Sequence, residues 1–176
     1  MLKVKFECSP GSKNYIKNID NKLVIKYLQG PGSIGRHLKY SFKECKTNNA
    51  DLYITWKIDD EMNDDLIGYS AAYLNSRPGI IYLNSQNWHS IREPHHNEWV
   101  RQYGNKKSTL TKYRKYMVNH EFGHVCGLDH DDFIKKPKCN LMEKQTFTPK
   151  RLCKPSIYLH KKTIKKLKNN VQRLRF

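Results

Sequence analysis

The stretch His120-Glu121-Phe122-Gly123-His124-Val125-Cys126-Gly127-Leu128-Asp129-His130 decides how this sequence is read. His120 and His124 are four residues apart, so on a helix their rings project side by side and can share one metal ion. Glu121 follows the first imidazole and lies about 100° further round the helix, within reach of a water on that ion without ligating it. Gly127 ends the helix, because it can take a positive φ without a Cβ clash. The chain can then turn and return His130 as a third imidazole. Three neutral nitrogen ligands with one open position is the layout of a catalytic zinc site rather than a structural one. A helix carrying surface histidines is the plainer reading. No packing argument, however, needs Glu121, Gly127 and three histidines together. A site that holds zinc without turnover stays open.

Outward from this stretch, Leu110, Tyr113, Met117, His120 and His124 recur at steps of three and four, which predicts one helical face. Ser108 or Thr109 is the expected N-cap. Asn84 to Lys107 reads as a polar loop. Leu2–Phe6, Asp51–Ile58, Ile67–Leu74 and Gly79–Leu83 read as strands, and Asn14–Tyr27 as a helix ended by Gln29-Gly30-Pro31-Gly32. From about Ser156, the stripe Ile164, Leu167, Val171 and Leu174 predicts an amphipathic terminal helix.

The 176 residues suit one core. No apolar run approaches the roughly 20 residues of a membrane helix, and no apolar segment follows Met1 as a secretory signal would. An intracellular or virion-associated protein is therefore the expectation. Net charge is +17, and it is uneven: residues 133–176 hold fourteen Lys or Arg against the single acid Glu143. That basic segment is either a solvated helix face or a contact for an anionic partner, such as nucleic acid or an acidic surface. No nucleic-acid reader motif supports the second reading. Five cysteines without a CxxC give no zinc ribbon or thioredoxin motif. Asp59-Asp60-Glu61 and Asp64-Asp65 lack EF-hand spacing, and His89, His95 and His96 read as surface histidines.

His120 to His130 resembles the HExxHxxGxxH signature of the metzincin metallopeptidases. Asn140-Leu141-Met142 stands where that clan has its methionine turn. Ala50–Trp56, Ser70–Tyr73 and Pro78–Asn84 with Trp88 resemble the strands of matrix-type metzincins. Tyr116-Met117-Val118-Asn119-His120-Glu121, followed by Cys139, Met142 and Cys153, is similar to a small metzincin-like group. The likeness spans about residues 50–155. It departs from matrix-type enzymes where Asn84-Ser85-Gln86-Asn87 replaces the acids of a second metal site, and where no cysteine-switch propeptide is found.

The resemblance implies an α/β (α+β) zincin fold. Its twisted mixed sheet would have about four or five strands. An upper lobe (about 1–127) would carry two helices, and a smaller lower lobe (about 128–176) would end in a helix. It also implies one catalytic Zn²⁺ on His120, His124 and His130, with Glu121 as general base in an endopeptidase acting on a polypeptide substrate. Gly127, Met142 and Asp131 would support the site. The substrate would lie along the edge strand at Gly68, Tyr69, Ser70 and Ala71, and Glu143–Phe147 would shape the pocket beyond the cut. Cys139 and Cys153 would restrain that wall if oxidised, or stay thiols in a reducing compartment. A catalytically silent protein of this fold, binding through its basic surface, is the competing expectation. The oligomeric state is not legible.

Overall fold

The computed structural model describes residues 1–62, 70–74, 76–91, 98–131, 137–145 and 153–174. Its elements in chain order are β1 (Leu2–Cys8), α1 (Asn18–Gln29), α2 (Ile34–His37), β2 (Phe42–Glu44), β3 (Leu52–Lys57), β4 (Ala71–Ala72) and β5 (Gly79–Asn84), then α3 (Ser85–His89), α4 (Glu98–Tyr103), α5 (Lys107–Val125), β6 (Lys138–Asn140), β7 (Lys154–Tyr158) and α6 (Lys161–Leu174). This is a mixed α/β architecture. Five strands form one sheet in the order β2-β1-β3-β5-β4. The first four are parallel, with Val4 opposite Leu52 and Leu52 opposite Gly79. Only β4 is antiparallel, pairing Ala71 with Tyr82 at the sheet's end.

Alternation makes β3 a half-buried strand. Leu52, Ile54 and Trp56 enter the core, while Tyr53, Thr55 and Lys57 are half-exposed. Helices α1 and α5 cover the inner face. The core centres on Trp56 and Trp88, whose rings meet edge-on at 5.0 Å. Each indole N–H needs an acceptor once it leaves water. Trp56 Nε1 donates to Asn21 Oδ1 at 2.9 Å, and Trp88 Nε1 donates to Asp20 Oδ1 at 2.7 Å. The other oxygen of Asp20 accepts the Lys17 amide at 2.8 Å, so one carboxylate starts α1 and fixes a core tryptophan.

The expected polar loop 84–107 is instead interrupted by α3 and α4. Asn84 caps α3 by accepting from the amides of Gln86 and Asn87. Both helices form because they bury Trp88 and Trp99, at 0% and 1% exposure; burial outweighs the polar composition around them. Helix α5 begins at Lys107 with Lys106 as its N-cap residue, not at Ser108 or Thr109. Thr109 turns its hydroxyl back to the Tyr103 carbonyl at 3.3 Å instead. The strand expected at Ile67–Leu74 comprises Ala71–Ala72 within the described residues. The segment from Ser156 first completes β7, and α6 starts only at Lys161. Short elements β2, α2 and β6 were not expected at all. In α6, Leu167 is fully buried with Ile164 and Val171 packed beside it, and the lysines at 162, 165, 166 and 168 face outward. No helix among the described residues is long and apolar enough to cross a membrane.

Candidate metal centre

Helix α5 carries His120 and His124 one turn apart, and its termination positions the third imidazole. Gly127 has φ +77°, a left-handed conformation that strains any residue with a Cβ. Its amide donates to His124 O at 2.8 Å, and the Leu128 amide donates to Gly123 O at 2.9 Å. These two bonds form a Schellman closure, with Leu128 buried as its apolar contact. The chain reverses and His130 faces the helix.

The three Nε2 atoms converge. His120 lies 3.3 Å from His124 and 3.2 Å from His130, and His124 lies 3.2 Å from His130. The tautomers follow from the other ring nitrogens. His120 Nδ1 is 2.8 Å from Leu141 O, and His124 Nδ1 is 2.7 Å from Leu128 O. A carbonyl only accepts, so both Nδ1 atoms carry the proton and both Nε2 atoms present lone pairs. Burial, reinforced by the neighbouring imidazole His124, pushes His120 down to about 3 and His130 down to about 4; burial also lowers His124. All three are thus neutral near pH 7, the state that ligates a metal. Converging lone pairs repel one another unless a cation lies between them. A tetrahedral zinc with Zn–N bonds of about 2.0–2.1 Å sets its nitrogen ligands about 3.3–3.4 Å apart. The donor set, its protonation and its spacing therefore fit zinc.

Glu121 is buried, and burial raises its carboxyl to about 8. Met142 is fully buried against α5: a Cβ built on Gly123 would lie 2.5 Å from its Sδ. Gly123, between the two helical histidines, is thus what lets the methionine sit beneath them. The neighbouring Leu141 carbonyl anchors His120. Asp131 donates its amide to Met142 O at 3.0 Å. Its carboxylate contacts Asn140 Nδ2 and, at 3.3 Å, Thr163 Oγ1. This places Asp131 between the third histidine and the methionine segment. Cys139 and Cys153 form a disulfide, joining β6 to the residue just before β7. The remaining buried thiol, Cys126, packs as a small apolar side chain whose pKa burial raises.

Of the expected substrate strand, Gly68 and Tyr69 lie outside the described residues, as do His95, His96 and residues 146–147 of the expected pocket wall. Ser70 Oγ accepts from Asn84 N at 3.1 Å, and Ala71 lies in β4 at the sheet edge. Sequence reading missed the polar framework behind the histidines. Asn119 takes the Ile34 amide on Oδ1 at 3.0 Å and donates Nδ2 to Tyr27 O at 3.1 Å. Tyr116 donates its hydroxyl to Glu143 O at 3.1 Å and accepts from Gln145 N at 3.0 Å. An Asn inside a helix, where its side chain competes with the backbone, was the available signal for the first.

No protein-family model matches the chain, and no curated protein matches its sequence. Among solved structures, the chain is similar to archaemetzincin from Methanopyrus kandleri, with a TM-score of 0.56 over 98% of this chain and 96% of that one, at 12% sequence identity. At that identity the likeness speaks for the fold alone. The chain has a mixed α/β fold of the archaemetzincin kind, with a three-histidine cluster at the end of its long helix.

Proposed function

We propose that this chain is a zinc-dependent peptidase that hydrolyses internal peptide bonds of an extended polypeptide. The observation that carries the reading is the set of three neutral Nε2 atoms 3.2–3.3 Å apart. His120, His124 and His130 would hold the ion. Bound there, Zn²⁺ supplies Lewis acidity, which acidifies water towards a pKa of about 7 and polarises a carbonyl. Glu121 takes the proton from the attacking water as the C–O bond forms. It then delivers that proton to the amide nitrogen as the C–N bond breaks. The backbone edge of β4 offers an extended peptide main-chain hydrogen bonds as an added strand.

The test combines metal content with turnover. Purified wild type should carry one zinc and cleave an unfolded protein. Glu121→Ala should keep the zinc and lose about 10²–10⁴ of the rate. Equal cleavage by the two proteins would remove Glu121 from the chemistry. One zinc with no cleavage of any unfolded substrate would favour a silent protein of this fold.

A further inference from the structure

A cavity of about 830 Å³ lies away from the histidines, bounded by α4, the early turns of α5, β7 and the start of α6. Neither Glu121 nor any of the three imidazoles lines it. Its volume falls within the range of small-molecule sites, about 300–1,000 Å³. Its walls are apolar, from Trp99, Tyr103, Ile157, Leu159 and Ile164. Around them stand Lys112, Lys115, Lys138, Lys154 and Lys161, with no acidic residue among the described lining.

Among the described residues none of the five lysines has an ion-pair partner. Lys112 Nζ rests over the Tyr103 ring at 4.3 Å, and Lys115 Nζ lies 5.8 Å from the Tyr27 centroid. The start of α6 adds the positive end of a 14-residue helix with no acid in its first turn. An apolar hollow ringed by one sign of charge complements a molecule with an apolar body and an anionic head.

We infer that this cavity binds a single-chain amphiphilic anion, a long-chain fatty-acid carboxylate, with its chain against Tyr103, Ile157 and Ile164 and its head among the lysines. A concave site of this volume takes one detached molecule rather than a bilayer face. Among the described lining Tyr158, 49% exposed, is the one exposed Trp, Tyr or Phe, whereas a nucleic-acid strand stacks successive bases on several such faces. The site is independent of the peptidase reading.

Calorimetric titration of the full chain with dodecanoate, kept below its micelle concentration, tests this. Dodecanoate should bind at one site. The exposed-residue variant Lys112→Glu/Lys154→Glu/Lys161→Glu should weaken it at least about tenfold, or 1.4 kcal/mol. A control, Lys162→Glu/Lys165→Glu/Lys166→Glu, makes the same charge change on exposed residues of α6 that do not line the cavity, and should bind as wild type does. Dodecanol, with the same chain and no charge, should bind at least about tenfold more weakly. The inference is overturned by equal binding of dodecanol, by equal loss in both triple variants, or by no binding to wild type. It is also overturned if an acidic peptide or anionic phosphatidylserine vesicles bind this chain in preference to dodecanoate.

Discussion

Replacing Gly123 with alanine tests the link between the helix and the methionine beneath it. The new Cβ would lie 2.5 Å from Met142 Sδ, 3.1 Å from Met142 Cε and 3.1 Å from Ile34 Cδ1. Carbon and sulfur do not approach so closely, so Met142 must withdraw by about 1 Å or more from a fully packed site, against contacts optimal near 3.5–4.0 Å. Overpacking of this kind costs about 1–3 kcal/mol, and the gain of Ala over Gly in a helix interior returns about 1 kcal/mol. The net loss is about 0–2 kcal/mol, which lowers the melting temperature by up to about 8 °C in a chain of this length. The displacement also carries Leu141, whose carbonyl holds His120 Nδ1 at 2.8 Å. Zinc affinity should therefore fall about 10-fold, the lower end for loss of a ligand's anchoring partner. Met142→Ala alone should cost about 2–5 kcal/mol as a cavity. In the double variant the added methyl occupies part of that cavity, so the two losses should be subadditive by at least about 1 kcal/mol. Thermal melts and competitive zinc titration of the four proteins read both effects. Strict additivity in stability, with zinc affinity unchanged in Gly123→Ala, would mean that Gly123 does not set the position of Met142.

Further predictions concern the zinc-free protein and its core. His120 titrates near 3 when folded against an ordinary 6.5, so its contribution to stability is present above pH 6.5 and is lost as pH falls towards 3; melts from pH 7 to 4 should show this decline. Glu121 has the opposite sign: its folded value of about 8 lies above the ordinary 4.5, so its contribution is present below pH 4.5 and is lost as pH rises through 8. Zinc-free Glu121→Gln should thus melt above wild type at pH 8.5 and level with it at pH 4, and equal melting at pH 8.5 would count against a buried carboxyl. Asp20→Ala leaves the fully buried Trp88 indole N–H without its acceptor and should cost about 1–3 kcal/mol, read by denaturant titration. Removing the Cys139–Cys153 bridge, which closes a 14-residue separation, should cost about 3 kcal/mol, seen as a lower melting temperature in the double serine variant that reductant does not change further.

The parts of the molecule legible in the sequence are those where one residue type admits one physical solution. The i, i+4 histidines, the glycine that closes α5 and the alternation of Leu52, Ile54 and Trp56 each follow from local periodicity, and the structure has them in those elements. What was not legible depends on distant partners. Helices α3 and α4 form in a polar stretch because Trp88 and Trp99 find a core made by residues far along the chain. The ladder β2-β1 pairs Leu2 with Phe42 across forty residues, with only three residues in β2 to announce it. At the histidine cluster, the types and spacing of the three imidazole side chains were readable. The groups that hold them were not, because the Leu141 and Leu128 carbonyls belong to the backbone and carry no sequence signature.

Zinc K-edge X-ray absorption on protein loaded with one equivalent of zinc reads the three imidazoles directly. Convergence of His120, His124 and His130 predicts a shell of three imidazole nitrogens at about 2.0–2.1 Å and no sulfur. His120→Ala/His124→Ala should lose that signal. A shell dominated by sulfur, or one unchanged in the double variant, would contradict the account.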